Sequence, residues 1–289
     1  MAIKILIDST TYMPEEIREY YDIKVIPLSV TFEDGSFKET EMDPYEFYEK
    51  LDKSPTIPKS SQPNMKELYK LFEGVVKEGD EILGIFMSSG MSGTYNSANL
   101  VKEMILEKYN NAKINLIDSK CICMQHGYMA ISAAKAAEEG KRLEEVTNIA
   151  KENFHKTRFI FSLSTLEYLK KGGRIGKVQA LLGTVLKINP ILTLTEGKPD
   201  VFLKVRTKKK AIGKMVEIFL EDARKFQLEG VTIHHVNCKE EGKKLAKRIE
   251  QDLNINVQIS DVGAVVGVHV GPGAVGIAYH TKNIINLDS

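Results

Sequence analysis

The chain has 289 residues, 43% of them apolar and 27% charged, with a formal net charge of +1. This is the composition of a soluble globular protein with room for two domains or one large core. It supplies no bulk field to draw nucleic acid, and no run approaches the ~18 apolar residues of a membrane span.

The N-terminus, MAIKILIDST, meets a charge within four residues and alternates like a strand, unlike a signal peptide. Three cysteines (Cys121, Cys123 and Cys238) make an odd count, and Cys-Ile-Cys has neither redox nor zinc spacing. They read as buried, reduced thiols of a cytoplasmic protein, and no metal or cofactor is expected.

Lys4–Ile7 reads as a buried strand followed by the polar turn Asp8-Ser9-Thr10. A helix with Pro14 at its first position follows, then a strand across Ile23–Phe32. Asp43-Pro-Tyr-Glu46 opens a capped helix, and Ser60-Ser61-Gln-Pro63 leads into another, with Leu68, Leu71, Phe72 and Val75 on one face. Glu81–Met87 is the next strand, ending in Ser88-Ser-Gly-Met-Ser92-Gly93 before a helix marked by Ala98, Val101 and Ile105. Ile114–Asp118 repeats the pattern, with a turn at Asp118-Ser119 and a helix over Gly127–Glu138. Strands alternating with helices predict a parallel sheet covered on both faces.

The second half differs. Phe159–Leu163 reads as a strand, Thr165–Lys171 as a short helix broken by Gly172-Gly173, and Pro190–Val205 as a hairpin turning at Glu196-Gly-Lys. Helices over Lys208–Phe226 and Glu240–Leu253 flank a strand at Val231–Val236, and strands are expected at Ala264–Val270 and Val275–His280. The fold class is therefore α/β with two packed domains. Residues 1–155 form an N-terminal parallel-sheet α/β unit, and residues 156–289 a C-terminal α+β unit with a mixed or antiparallel sheet.

Ligands of open parallel sheets bind beyond the carboxyl ends of the strands. The turns at Ser9, Ser88–Ser92 and Ser119 share that edge, and Ser60-Ser61 is a fourth candidate before a helix. Each reads either as a helix cap or as part of an anion site at a helix N-terminus. No P-loop is present, because Met-Ser-Gly-Thr follows Gly90 where a lysine would be needed. The nucleophile elbow G-x-S-x-G is missed by one residue. Hydroxyls and amide N–H groups suit a carboxylate, which carries one charge on two oxygens.

Two cationic candidates lie in the second half. Arg174, after a glycine pair, reads as solvated or as an anion partner; His269, in Gly267-Val-His-Val-Gly-Pro-Gly273, reads as a core residue or a functional one. Arg206 and Lys208–Lys210 read as a solvated helix start or as a docking patch for an acidic partner.

In their order, ILIDST, SSQP, SSGMSGTYNSA, IDSK, LEYLKKGGRIG, INPIL, VRTKKKA and GPGAVGIAY resemble the DegV family of bacterial fatty-acid-binding proteins, nearly end to end. The resemblance implies a fatty acid held as ligand by a two-domain protein that has no turnover of its own. It further implies that the acid is presented to a separate ATP-dependent fatty acid kinase, whose acyl-phosphate product feeds phospholipid synthesis. Transient membrane contact is compatible with that role. Carried over by position, the carboxylate hydroxyls fall on Ser60 and Ser92 and the network cations on Arg174 and His269. Ser9, Ser61, Gly93 and Ser119 complete the candidate site. Relatives generally carry threonine at the position of Ser60, and Cys121–His126 is bulkier than the resemblance leads one to expect. The alternatives are a serine acyl hydrolase or transferase with Ser92 as nucleophile and His269 as base, and a small-molecule sensor or transport module.

Overall fold

The computed structural model describes residues 2–182 and 188–285; the last residues of the expected C-terminal unit, 286–289, lie outside that range. In chain order the first half runs β1 (Ile3–Asp8), α1 (Glu15–Tyr20), β2 (Lys24–Ile26), β3 (Ser29–Phe32), β4 (Gly35–Lys38) and α2 (Pro44–Lys53). It continues with β5 (Lys59–Ser61), α3 (Met65–Lys77), β6 (Glu81–Phe86), α4 (Thr94–Lys108), β7 (Ile114–Asp118), α5 (Met124–Glu138) and α6 (Leu143–Phe154). The second half runs β8 (Thr157–Ser162), α7 (Glu167–Lys171), β9 (Asn189–Thr195), β10 (Lys198–Val205) and α8 (Lys208–Phe226). It closes with β11 (Leu228–His235), α9 (Lys239–Leu253), β12 (Gln258–Asp261), α10 (Ala264–Val270) and β13 (Val275–Thr281).

The first sheet has the order β2-β1-β6-β7, with every pairing parallel. All six residues of β6 are buried, as expected of a central strand covered on both faces. The second sheet has the order β10-β9-β8-β13-β11-β12; it is antiparallel except for β11 with β12. One buried cluster draws on both, joining Ile5, Ile85 and Ile117 to Phe159, Leu192 and Ala278.

Four local expectations need correction. The strand across Ile23–Phe32 is two strands, because Pro27 has no N–H for a ladder and ends β2 at Ile26. The chain then builds a separate antiparallel sheet, β4-β3-β5. Ser60 and Ser61 belong to its strand β5, opposite Val30 and Ser29, rather than to a helix entrance. The helix α6 was not anticipated, although Leu143, Val146 and Ala150 supply a buried face at helical spacing.

The fourth correction concerns Ala264–Val270, which is a helix and not a strand. Its valines favour strands locally, but all of its residues except His269 are buried, so tertiary packing decides. Glu39 accepts the Val265 N–H at 3.0 Å and the Tyr12 hydroxyl accepts the Val266 N–H at 3.1 Å, satisfying two donors that the helix itself leaves open. Gly267 lets the helix sit on Tyr48, whose hydroxyl would lie 2.2 Å from an added Cβ.

Candidate functional site

A cavity of ≈ 180 Å³ lies beyond the carboxyl end of β6, against α10, α7 and the β9–β10 hairpin. Its polar lining comprises Ser60, Ser61, Gln62, Ser92, Arg174 and His269, with Gly93 beside them. The remaining wall is apolar, including Leu28, Met87, Phe161 and Leu194.

The loop after β6 divides its hydroxyls between structure and cavity. Ser88 donates to the carbonyl of Gly197 at 2.7 Å and accepts the Gly90 N–H, fastening the loop to the tip of the β9–β10 hairpin. Ser89 donates to Asp118 through both its N–H and its hydroxyl. The Met87 N–H donates to the buried Asp8 at 2.6 Å. Ser92 is left at the cavity; its oxygen accepts the Thr94 N–H at 3.3 Å and shares a hydrogen bond with the Thr94 hydroxyl at 2.8 Å. Gly93 precedes α4, whose first N–H groups have no acceptors within the helix. An added Cβ at Gly93 would meet the Gln62 side chain at 2.1 Å, so glycine keeps these two walls in contact.

Across the cavity, Ser60 Oγ and His269 Nε2 are 2.8 Å apart. His269 Nδ1 is buried without a partner among the described residues, and a Cβ on Gly172 would come within 2.3 Å of it. Arg174 donates from Nε to the Met91 carbonyl at 3.2 Å and from Nη1 to the Gly172 carbonyl at 2.7 Å. No carboxylate of the described residues pairs with it. Burial, and then the Arg174 guanidinium, push His269 from its ordinary 6.5 down to about 4. At neutral pH the site therefore offers one fixed cation, a neutral imidazole and several hydroxyls, a set able to orient a singly charged anion.

Six of the eight candidate residues thus meet at one cavity, and two do not. The Ser9 hydroxyl donates to Glu39 and accepts the Leu28 N–H at 3.0 Å, on a separate polar cavity. The Ser119 hydroxyl closes a local turn, donating to the Cys121 carbonyl at 3.2 Å and accepting the Cys121 N–H at 3.3 Å. Both lie at the carboxyl ends of parallel strands, but Ser119 closes a backbone turn and Ser9 links Glu39 to the Leu28 N–H. His269 meets Ser60 and not Ser92, so the nucleophile–base pair postulated for a serine enzyme is not assembled at Ser92.

Gln62 and the apolar lining went unremarked from sequence. Gln62 stands in the SSQP motif and could have been found there; an aliphatic wall reads like any core. The bulky segment Cys121–His126 reaches the cavity through Ile122, while Cys121 and Cys123 are buried and Cys123 adopts φ +56°. A smaller buried chamber of ≈ 30 Å³ adjoins the cavity, sharing Ile122, Phe161, Val266 and Val270 with it and bounded further by Phe159, Cys123 and His234.

The basic run is not uniform. Lys208 donates to Glu241 at 2.5 Å and to the Gly273 carbonyl at 2.7 Å, which fixes the chain just after α10. Arg206, Lys209 and Lys210 are exposed.

The chain as a whole matches known proteins. The family model described as "Uncharacterised protein, DegV family" matches residues 2–282. A DegV domain-containing protein of Clostridium acetobutylicum is 51% identical over 98% of this chain and 99% of its own length. The crystal structure of DegV, a fatty acid binding protein from Bacillus subtilis, matches with a TM-score of 0.88 at 34% identity, covering 98% of this chain and 100% of that one. A stearic acid-binding protein from Eubacterium ventriosum matches with a TM-score of 0.87 at 26% identity, covering 97% and 98%. With the family model matching residues 2–282 and a relative 51% identical over 98% of the sequence, the chain belongs to the DegV family.

Proposed function

We propose that this chain binds a long-chain fatty acid and presents its carboxylate to a separate ATP-dependent fatty acid kinase. The observation that carries this reading is a single cavity with hydroxyls and one arginine among the polar groups of its wall and apolar side chains on the rest. Two structural relatives described as binding fatty acid or stearic acid support it.

In this reading Ser60, Ser92 and Arg174 hold the carboxylate, with backbone N–H groups near Gly93 assisting, and His269 orients Ser60 as a neutral ring. The tail supplies affinity: each buried methylene contributes about 0.8 kcal/mol, so ~14 of them give on the order of 11 kcal/mol before association costs. The head group need only be oriented. One carboxylate oxygen then attacks the γ-phosphorus of ATP on the kinase, ADP leaves, and an acyl phosphate forms. The sequence has no P-loop with which to hold ATP itself. Arg206, Lys209 and Lys210 would receive the kinase, whereas Lys208, already paired with Glu241, would hold the helix start in place.

Reconstitution with a bacterial fatty acid kinase, ATP and stearate tests the reading. Acyl phosphate should form only when both proteins are present, and the triple variant Arg206→Ala, Lys209→Ala, Lys210→Ala should lose most of that turnover while retaining stearate. Full turnover by the triple variant would remove the docking patch. Covalent labelling of Ser60 or Ser92 by an electrophilic phosphonate, with ester hydrolysis, would replace the carrier by an enzyme.

A further inference from the structure

The small chamber adjoining the cavity has the side chain of His234 on its wall, and one ring nitrogen of that side chain lacks a partner among the described residues. His234 is 1% exposed. Its Nε2 accepts the Met124 N–H at 3.1 Å, so Nε2 carries the lone pair. Burial, with His235 and His126 nearby, pushes the ring down to about 3, so it is neutral at pH 7. A neutral imidazole with its lone pair on Nε2 carries its hydrogen on Nδ1. That Nδ1–H is buried and has no acceptor among the described residues. The rest of the chamber wall is Cys123, a glycine and apolar side chains, among them Phe159, which meets the imidazole edge-on at 5.8 Å.

Water answers this poorly. The chamber's ≈ 30 Å³ would admit one, but a buried water needs two to four polar partners and the side chains here offer a single donor. An unmatched buried donor costs free energy, and an acceptor brought in by the ligand would remove that cost. A hydroxyl would bring its own unmatched hydrogen, whereas a ketone or an epoxide oxygen accepts without donating.

We propose that this protein's preferred tail is an oxygenated acyl chain, whose acceptor-only oxygen receives the His234 Nδ1–H in the chamber beside the main cavity. The proposal rests on the fatty acid reading of that cavity and names a substrate class within it.

The test is a binding series of stearate and oxostearates with the keto group stepped along the chain, on the wild type and on His234→Phe. At least one position should bind the wild type roughly 2- to 10-fold tighter than stearate, the range expected for one hydrogen bond gained. The same isomer should move the Nδ1 resonance of histidine-labelled protein, and His234→Phe should bring it level with stearate. The proposal is overturned if no isomer exceeds stearate, or if the preference survives in His234→Phe. Should that variant fail to fold, an Nδ1 signal left unmoved by the tightest isomer overturns it in the wild type. Failure of stearate and every isomer to bind would instead sink the fatty acid reading, and this proposal with it.

Discussion

Ser60 and Ser92 contribute the same group to the cavity but stand in different surroundings, and the difference sets what their removal would do. Among the described residues the Ser92 hydroxyl bonds only to Thr94, two residues on. Ser92→Ala should therefore leave the fold intact and cost a hydrogen bond to a charged group, about 1.5–3 kcal/mol, or roughly a 10- to 150-fold loss of carboxylate retention. Equal retention of fatty acid by Ser92→Ala, in a direct binding assay, would take Ser92 out of the site. The pH dependence follows from the rings. His269 and His280 are pushed down to about 4 and His234 to about 3, burial being the first cause in each. Below pH 6.5 the unfolded chain takes up protons that these folded rings refuse, so stability falls as pH drops from about 6.5 toward 4, by on the order of 3 kcal/mol per ring at most. Glu39 acts in the opposite sense. Burial raises it to about 7, so its contribution is present below 4.5 and is lost as pH rises through 7. Denaturant titrations from pH 8 to pH 4 should show the histidine loss dominating, because three rings oppose one carboxyl. A flat profile over that range would contradict the neutral imidazole assigned to His269.

Among the elements, α10 ties the site to the rest of the fold. Glu39 accepts from Ser9, Tyr12 and the Val265 N–H, holding the first turn of the helix that carries His269 five residues after Ala264. Glu39→Ala should strand those donors, destabilise the protein by about 1–3 kcal/mol and loosen ligand retention together. The packing of α7 against α10 allows a sharper test. Gly172→Ala would push a methyl into His269 Nδ1 and break the Ser60–His269 contact, so retention should fall while the circular dichroism spectrum stays unchanged. At this scale the sequence was legible wherever periodicity and caps agreed. The Asp43 cap, the α8 span and the hairpin turn at Glu196-Gly197 all appear as expected. It was misleading where tertiary contacts outvote local preference. The valine-rich α10 looks like a strand until Glu39 and Tyr12 are seen at its N-terminus. The Ser60 strand is too short to announce itself, and its partner β3 was hidden behind Pro27 in an apparently continuous run. Ser9 and Ser119 look like Ser60 and Ser92 in sequence, because a hydroxyl that closes a backbone turn and one that faces a cavity follow the same turn chemistry.

In the whole molecule one buried cluster joins the two larger sheets, with the polar groups of the cavity drawn from both halves. Ser60 and Ser92 precede residue 119, and Arg174 and His269 follow residue 156. Ties that cross between them close to the cavity include Ser60 to His269, Ser88 to Gly197 and Arg174 to Met91. A ligand filling that space should therefore stabilise the fold as a unit. At a hundredfold excess over Kd the linkage is about 2.7 kcal/mol, which raises Tm by about 4–5 °C for a chain of this size. Delipidated protein should show that rise on adding stearate, and a Tm indifferent to stearate would contradict it. No helix among the described residues is long and apolar enough to cross a membrane. The most direct measurement is mass spectrometry of the organic extract of the purified protein. A long-chain fatty acid near one equivalent per chain is predicted, falling sharply in the Ser60→Ala, Ser92→Ala double variant. An extract free of acyl chains, from protein that also takes up none when stearate is offered, would contradict the account.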